Sequence, residues 1–204
     1  MGWYEREVVP RLVNITCANR RMLPLRRRAL SGVNGTVLEL GFGSGANLDA
    51  YPGTVDRVVA IDPSLVGRKL AAKRLSRSPI HVEFAGLDAD RLALEDESVD
   101  NAVSTWTLCT IPDATAAVRE VRRVLKPGGR FFFLEHGLSP DPKVARRQHR
   151  YDGLQGRIAG GCHLDRDITQ IIEAAGFDVE NKKNFYIAGP KALSYMYAGQ
   201  ARPS

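Results

Sequence analysis

The chain has 204 residues, 44% hydrophobic and 25% charged, a balance that points to one globular domain with a single sizeable core. No apolar run approaches the roughly 20 residues that cross a bilayer, and the start, Met1-Gly2-Trp3-Tyr4-Glu5-Arg6, has neither a signal-peptide core nor the hydroxyl residue that myristoylation needs. Three scattered cysteines, Cys17, Cys109 and Cys162, fit neither a disulfide framework nor a zinc knuckle, so a reducing, cytoplasmic setting is expected.

Of the net charge of +6, residues 1–35 carry +5, in seven arginines against Glu5 and Glu7. Such an arm suits nucleic acid, anionic lipid, an acidic substrate or simply a solvated helix face. No aromatic residue interleaves with the arginines past Tyr4, so stacking on single-stranded bases finds no support. Residues 3–30 read as helical pieces punctuated by Pro10 and Pro24. Tyr4, Val8, Leu12 and Ile15 recur at helical spacing, an amphipathic stripe in need of an apolar surface.

The run Thr36-Val37-Leu38-Glu39-Leu40-Gly41-Phe42-Gly43-Ser44-Gly45 carries the most information. Residues 36–40 predict a buried strand that ends in a tight glycine turn opening a helix at Gly45, where backbone can approach a ligand. A second apolar run, 57–61, ends in Asp62, a carboxylate placed to hold ribose hydroxyls at a strand tip. The spacing is G-x-G-x-G, not the G-x-G-x-x-G of dinucleotide sites, and Glu39 repels phosphate but attracts an amine. That combination selects S-adenosylmethionine, whose methionine end bears an ammonium group.

Ser64 caps a predicted helix through Ser76, and residues 80–84 predict a third strand. Residues 99–104 predict the fourth. Asp113 caps a helix with Val118, Val121 and Leu125 on its apolar face, closed by Pro127-Gly128-Gly129. Phe131–Leu134 is a continuous apolar run, as a fully buried strand should be. Residues 138–165 read as loop-rich and basic, a helix follows over 168–175, and 177–179 and 185–188 predict the last two strands. Strands alternating with helices imply an α/β, Rossmann-like, doubly wound parallel sheet.

Val37–Gly45, Ile61-Asp62-Pro63, Leu87-Asp88-Ala89-Asp90-Arg91-Leu92 with Asp96–Asp100, and Leu125-Lys126-Pro127-Gly128-Gly129-Arg130 resemble, in order, the motifs of class I S-adenosylmethionine-dependent methyltransferases. The resemblance implies a seven-stranded sheet of order 3-2-1-4-5-7-6 with the last strand antiparallel. It further implies a single domain over 1–204, with a helical N-terminal lid over 1–35 and a catalytic core over 36–190. It assigns cofactor contacts to Glu39, Gly41, Phe42, Gly43, Gly45, Asn47, Asp62, Pro63, Asp88, Ala89, Thr105 and Trp106. Gly45-Ala46-Asn47-Leu48, Tyr51-Pro52, Thr107–Ile111, Glu135-His136, Gln148 and Gly161-Cys162-His163-Leu164 are similar to the group that contains alkyl thiol S-methyltransferases.

Methyl transfer from a sulfonium is an in-line displacement, to which orientation alone can contribute roughly 7–11 kcal/mol. A thiol of pKa about 8.5 is only slightly ionised at neutral pH, so a nearby base or cationic field helps. His136, His149 and His163 are the candidate bases, while His81, at the opposite sheet edge, is expected to be structural. Cys109, Gln148 and Cys162 are expected to line the acceptor pocket; no metal is expected, since Cys162-His163 alone cannot hold zinc. The expected activity is methylation of a small-molecule acceptor, a thiol on the resemblance. An RNA or protein methyltransferase using the basic arm, and a non-catalytic cofactor-binding subunit, remain alternatives. Strand four ends in Ser104-Thr105-Trp106-Thr107 rather than the Asn/Asp-Pro-Pro-aromatic tetrad of many amino-directed enzymes. Oligomeric state is left open.

Overall fold

The computed structural model describes residues 2–204; Met1, the first residue of the expected lid segment, lies outside them. Seven strands, β1 (Gly35–Leu40), β2 (Val55–Ile61), β3 (His81–Gly86), β4 (Val99–Thr105), β5 (Leu125–His136), β6 (Phe177–Tyr186) and β7 (Tyr195–Pro203), form one sheet in the order β3-β2-β1-β4-β5-β7-β6. The first five pair in parallel, and β7 runs antiparallel between β5 and β6.

Side-chain alternation along the central strands divides the core into two layers. Leu38, Ala102, Phe131 and Phe133 face one side, where they meet Val118 and Val121 of α5 (Ala114–Val124) and Ile168 and Ile172 of α7 (Ile168–Ala174). Val37, Val58, Val103 and Phe132 face the other, beneath Leu30, just after α3 (Leu23–Ala29), and Ala71 of α4 (Leu65–Leu75). Ser64 and Asp113 cap α4 and α5 with side-chain oxygens on Gly67 N and Ala116 N. Among the described residues no helix is long and apolar enough to cross a membrane.

Five local expectations are corrected. The run 185–188 is not a separate strand: Phe185 and Tyr186 finish β6, whose ladder to β7 is interrupted between Glu180 and Lys183, where Asn181 takes φ 51°. The true last strand, β7, lies beyond residue 190, so the sheet runs past the expected end of the core. Residues 138–165 are not mainly loop; they contain the 17-residue α6 (Pro142–Ile158), capped by Asp141 on Lys143 N. The glycine turn opens only a 3-10 turn, Ala46–Asp49, because Asn47 turns inward and Tyr51-Pro52 halts the chain. Pro127-Gly128-Gly129 lies within β5, α5 having ended at Val124.

The N-terminal segment is helical, in α1 (Trp3–Glu7), α2 (Val9–Cys17) and α3. Pro10 and Pro24 each sit in a first helical turn, where a missing N–H costs nothing. The expected stripe does not make the buried contact: Leu12 and Ile15 are 48% and 67% exposed. Val9 is buried instead, against Gly160, and the Tyr4 hydroxyl donates to Ile158 O at 3.0 Å, tying α1 to the end of α6. A short helix, α8 (Lys191–Ser194), precedes β7.

Candidate active site

At the carboxyl ends of β1 and β4 the chain encloses a cavity of about 70 Å³. Its floor and walls are Glu39, Gly41, Phe42, Gly43, Thr105 and Trp106, and Val13, Cys17 and Ala18 of the α2 end roof it. That volume is below the roughly 300 Å³ of an ordinary ligand pocket. A larger cavity, about 450 Å³ between α3 and the β5–β7–β6 face, shares no residue with this one.

Glu39 is 1% exposed, and its carboxylate accepts from Asn47 Nδ2 at 2.8 Å and Tyr51 Oη at 2.7 Å. Burial outweighs both bonds and pushes its pKa up to about 7. A carboxyl so placed is reluctant to ionise alone and gains most from a cation. Arg26, 5% exposed, enters from α3: Nη1 donates to Asn47 Oδ1 at 2.6 Å and Thr105 Oγ1 at 2.7 Å, and Nη2 to Cys17 O at 2.9 Å. Its guanidinium stands 4.6 Å from the Trp106 ring centre, and its Nε is buried without a partner among the described residues. Trp106 itself takes φ 53°, a costly conformation for a bulky residue. Glu135, wholly buried, holds the neighbouring turn by accepting from Ser104 Oγ at 2.6 Å and Thr107 N at 2.9 Å.

The glycines serve different ends. A Cβ on Gly41 would fall inside the Thr107 side chain, so this glycine is required by packing. Gly43, at φ 53°, has nothing nearer its Cβ position than Gly41 O at 3.9 Å; that open space is a cradle for ligand. Asp62 accepts from Gly43 N at 2.5 Å and Ser64 N at 2.6 Å, so it shapes the loop and keeps further lone pairs for hydroxyl donors. Gly45, Asn47, Asp62, Pro63, Asp88 and Ala89 are outside the cavity lining. Asn47 is a buried brace under Glu39; Pro63 and Asp88 are exposed beyond β2 and β3, and Ala89 packs against the core.

The expected acceptor residues separate. Gln148 is fully buried and fully engaged: Nε2 donates to Gly137 O and Ala192 O, and Oε1 accepts from Ser139 N. It braces the β5–α6 loop and has no donor left for a substrate. His149 is exposed on α6 with Nδ1 2.9 Å from Asp165, and His163 lies 2.8 Å from Asp152. His136 alone of the three joins the cysteines: its ring, Cys109 Sγ and Cys162 Sγ lie within 4.8 Å of one another. Burial lowers the His136 pKa to about 4, so it is neutral at pH 7 and a weak base toward a thiol. Arg26, Cys17 and Glu135 escaped the sequence reading as site residues. Arg26 stands within an arginine-rich stretch that resembles any basic surface, and only its neighbours Leu25 and Leu30 hint at an inward face.

Comparison with known proteins agrees with this geometry. Residues 38–133 match the family described as methyltransferase domain. Human thiol S-methyltransferase TMT1B is 34% identical over 173 residues, 78% of this chain and 70% of that protein. The rat TMT1B is 35% identical over 147 residues, 70% of this chain and 59% of the relative, so the match leaves a substantial part of these proteins unaligned. A SAM-dependent methyltransferase of Leishmania major shares the fold, with TM-score 0.72 at 14% identity, over 98% of this chain and 80% of that one. The chain belongs to the S-adenosylmethionine-dependent methyltransferases, in the group that contains the thiol S-methyltransferases.

Proposed function

We propose that this protein transfers a methyl group from S-adenosylmethionine to the sulfur of a small, largely apolar thiol. The observation that carries the reading is that the carboxyl end of the sheet holds an amine-seeking Glu39 beside a half-satisfied Arg26 and also a separate soft cluster of Cys109, Cys162 and His136. The similarity to TMT1B supports sulfur as the acceptor atom.

When bound, S-adenosylmethionine supplies an electrophilic methyl on a positively charged sulfur. In this reading Glu39 takes the ammonium of the methionine part, and Arg26 Nε, buried without a partner among the described residues, takes its carboxylate. Gly43 leaves room for the backbone to lie against the ligand, and Asp62 accepts from the ribose hydroxyls. Trp106, clamped between Arg26 and the turn held by Glu135, forms the wall between cofactor and acceptor. Closure of α2 excludes water from the displacement. A cytoplasmic location belongs to the same reading, supported by three cysteines that are free thiols.

The test is calorimetry with S-adenosylhomocysteine and NAD, followed by mass spectrometry of an alkanethiol incubated with the protein and S-adenosylmethionine. Micromolar S-adenosylhomocysteine binding, no NAD binding and a methyl thioether product are expected. Tight NAD binding without S-adenosylhomocysteine binding rejects the reading.

A further inference from the structure

Cys109 follows β4, His136 ends β5 and Cys162 follows α6, yet their donor atoms converge. The two sulfurs are 3.5 Å apart, far beyond the roughly 2.05 Å of a disulfide. Tetrahedral zinc, with arms of about 2.3 Å to sulfur and 2.0–2.1 Å to nitrogen, sets its donors roughly 3.3–3.8 Å apart. Two sulfurs on such an ion stand about 3.75 Å apart, so the observed 3.5 Å lies a few tenths of an ångström inside that spacing, and the nitrogen lies within 4.8 Å of both.

The cluster is also built to hold its shape. Cys109, in the turn after β4, and His136, at the end of β5, are 3% and 6% exposed. The Cys162 loop is pinned to Cys109 by His163 N donating to Cys109 O at 2.8 Å, and Gly160 and Gly161, at φ 62° and 84°, let it turn in. The neighbouring Asp152, His163 and Asp165 group differs: there His163 is already paired with Asp152, and Asp165 with His149. Two sulfurs and one imidazole select a thiophilic cation of the zinc class over magnesium or calcium.

We infer that Cys109, His136 and Cys162 bind one zinc-class divalent cation through three protein ligands, with the fourth position open to the acceptor thiol. This runs against the sequence expectation of no metal, and its second half rests on the sulfur-directed reading above. Three protein ligands and one exchangeable position is the arrangement of catalytic rather than structural zinc. The acceptor sulfur loses its proton to solvent on coordination. Its lone pair then forms the new S–CH₃ bond as the sulfonium C–S bond breaks, leaving S-adenosylhomocysteine and a methyl thioether. The cation changes no oxidation state.

Cobalt(II) titration of the reduced full-length protein, without cofactor, tests the site. One equivalent should give intense tetrahedral visible bands and a thiolate charge-transfer band, both bleached by zinc. Cys109→Ser and Cys162→Ser should each weaken cobalt affinity about 100-fold or more, whereas Cys17→Ser should leave the spectrum unchanged. An alkanethiol should shift the visible bands and the matching alcohol should not. A weak octahedral spectrum in the wild type, or serine variants indistinguishable from it, overturns the site. Bands altered by Cys17→Ser, or unmoved by the thiol, overturn the open position. Undiminished thiol methylation by chelator-stripped protein removes the cation from the reaction and leaves the sulfur-directed reading standing.

Discussion

The Arg26 guanidinium stands 4.6 Å from the centre of the Trp106 ring, joining the N-terminal helices to the strained residue at the end of β4. Its Nη1 bonds to Asn47 and Thr105 link the same side chain to the brace beneath Glu39. Arg26→Ala should weaken S-adenosylhomocysteine binding by about 10- to 150-fold, the range for a lost charged hydrogen bond. Arg26→Lys should recover little, because an ammonium lacks the planar fork. Calorimetry on both variants checks this, and unchanged affinity in Arg26→Ala would remove the residue from the site.

Gly41 and Gly43 should fail differently. Gly41→Ala drives a methyl into Thr107 at φ 69° and should cost stability, read as a large fall in melting temperature. Gly43→Ala meets open space, so it should cost only about 1–2 kcal/mol for the left-handed backbone while blocking the ligand. A stable Gly43→Ala that still binds S-adenosylhomocysteine like wild type would show that the ligand does not lie against this loop.

Glu39 sets a pH dependence. Its folded pKa, raised by burial to about 7, lies above its unfolded value of about 4.5. The free folded protein therefore holds a proton between those values that the unfolded chain has lost. The stabilising contribution is full below pH 4.5 and is gone as pH rises through 7, a difference of roughly 3 kcal/mol. Glu39→Gln should thus melt higher than wild type at pH 8, with the gap closing at pH 5. Wild-type cofactor affinity should rise with pH up to about 7 and then level, with proton release on binding below pH 7. An affinity that is flat from pH 5.5 to 7.5 would show that the ammonium does not sit on Glu39.

The arginine-rich segment has two readings that deletion separates. A protein beginning at Ser31 keeps every strand but loses Arg26 and the α2 roof. It should retain the far-ultraviolet signature of the sheet and lose S-adenosylhomocysteine binding. Tight, steeply salt-dependent RNA binding by the full chain, absent from the shortened one, would instead favour a nucleic-acid acceptor.

The strand-to-glycine turn after β1 and the caps Ser64 and Asp113 were legible because each is a local requirement written in adjacent residues. The α6 helix was not, since it buries only Val144 and Gln148, carries Gly153 and Gly156, and leaves Tyr151, Leu154 and Ile158 about half exposed. Its start was nonetheless signalled by Asp141-Pro142, a cap followed by a first-turn proline. The last strand, β7, was hidden by Gly199, which faces Phe133 where a Cβ would not fit. Arg26 and the Cys109–His136–Cys162 cluster depend on contacts between residues 26 and 106, and among 109, 136 and 162, which no local pattern encodes.

The most direct measurement is a competition. The full-length protein, with limiting isotopically labelled S-adenosylmethionine, is offered an alkanethiol, a phenol and a primary amine at equal concentration, and the labelled products are counted by mass spectrometry from pH 6 to 9. The account predicts label in the methyl thioether throughout, at a rate that does not fall with pH. Label in the phenol or amine product, with the thiol inert across that range, would contradict it.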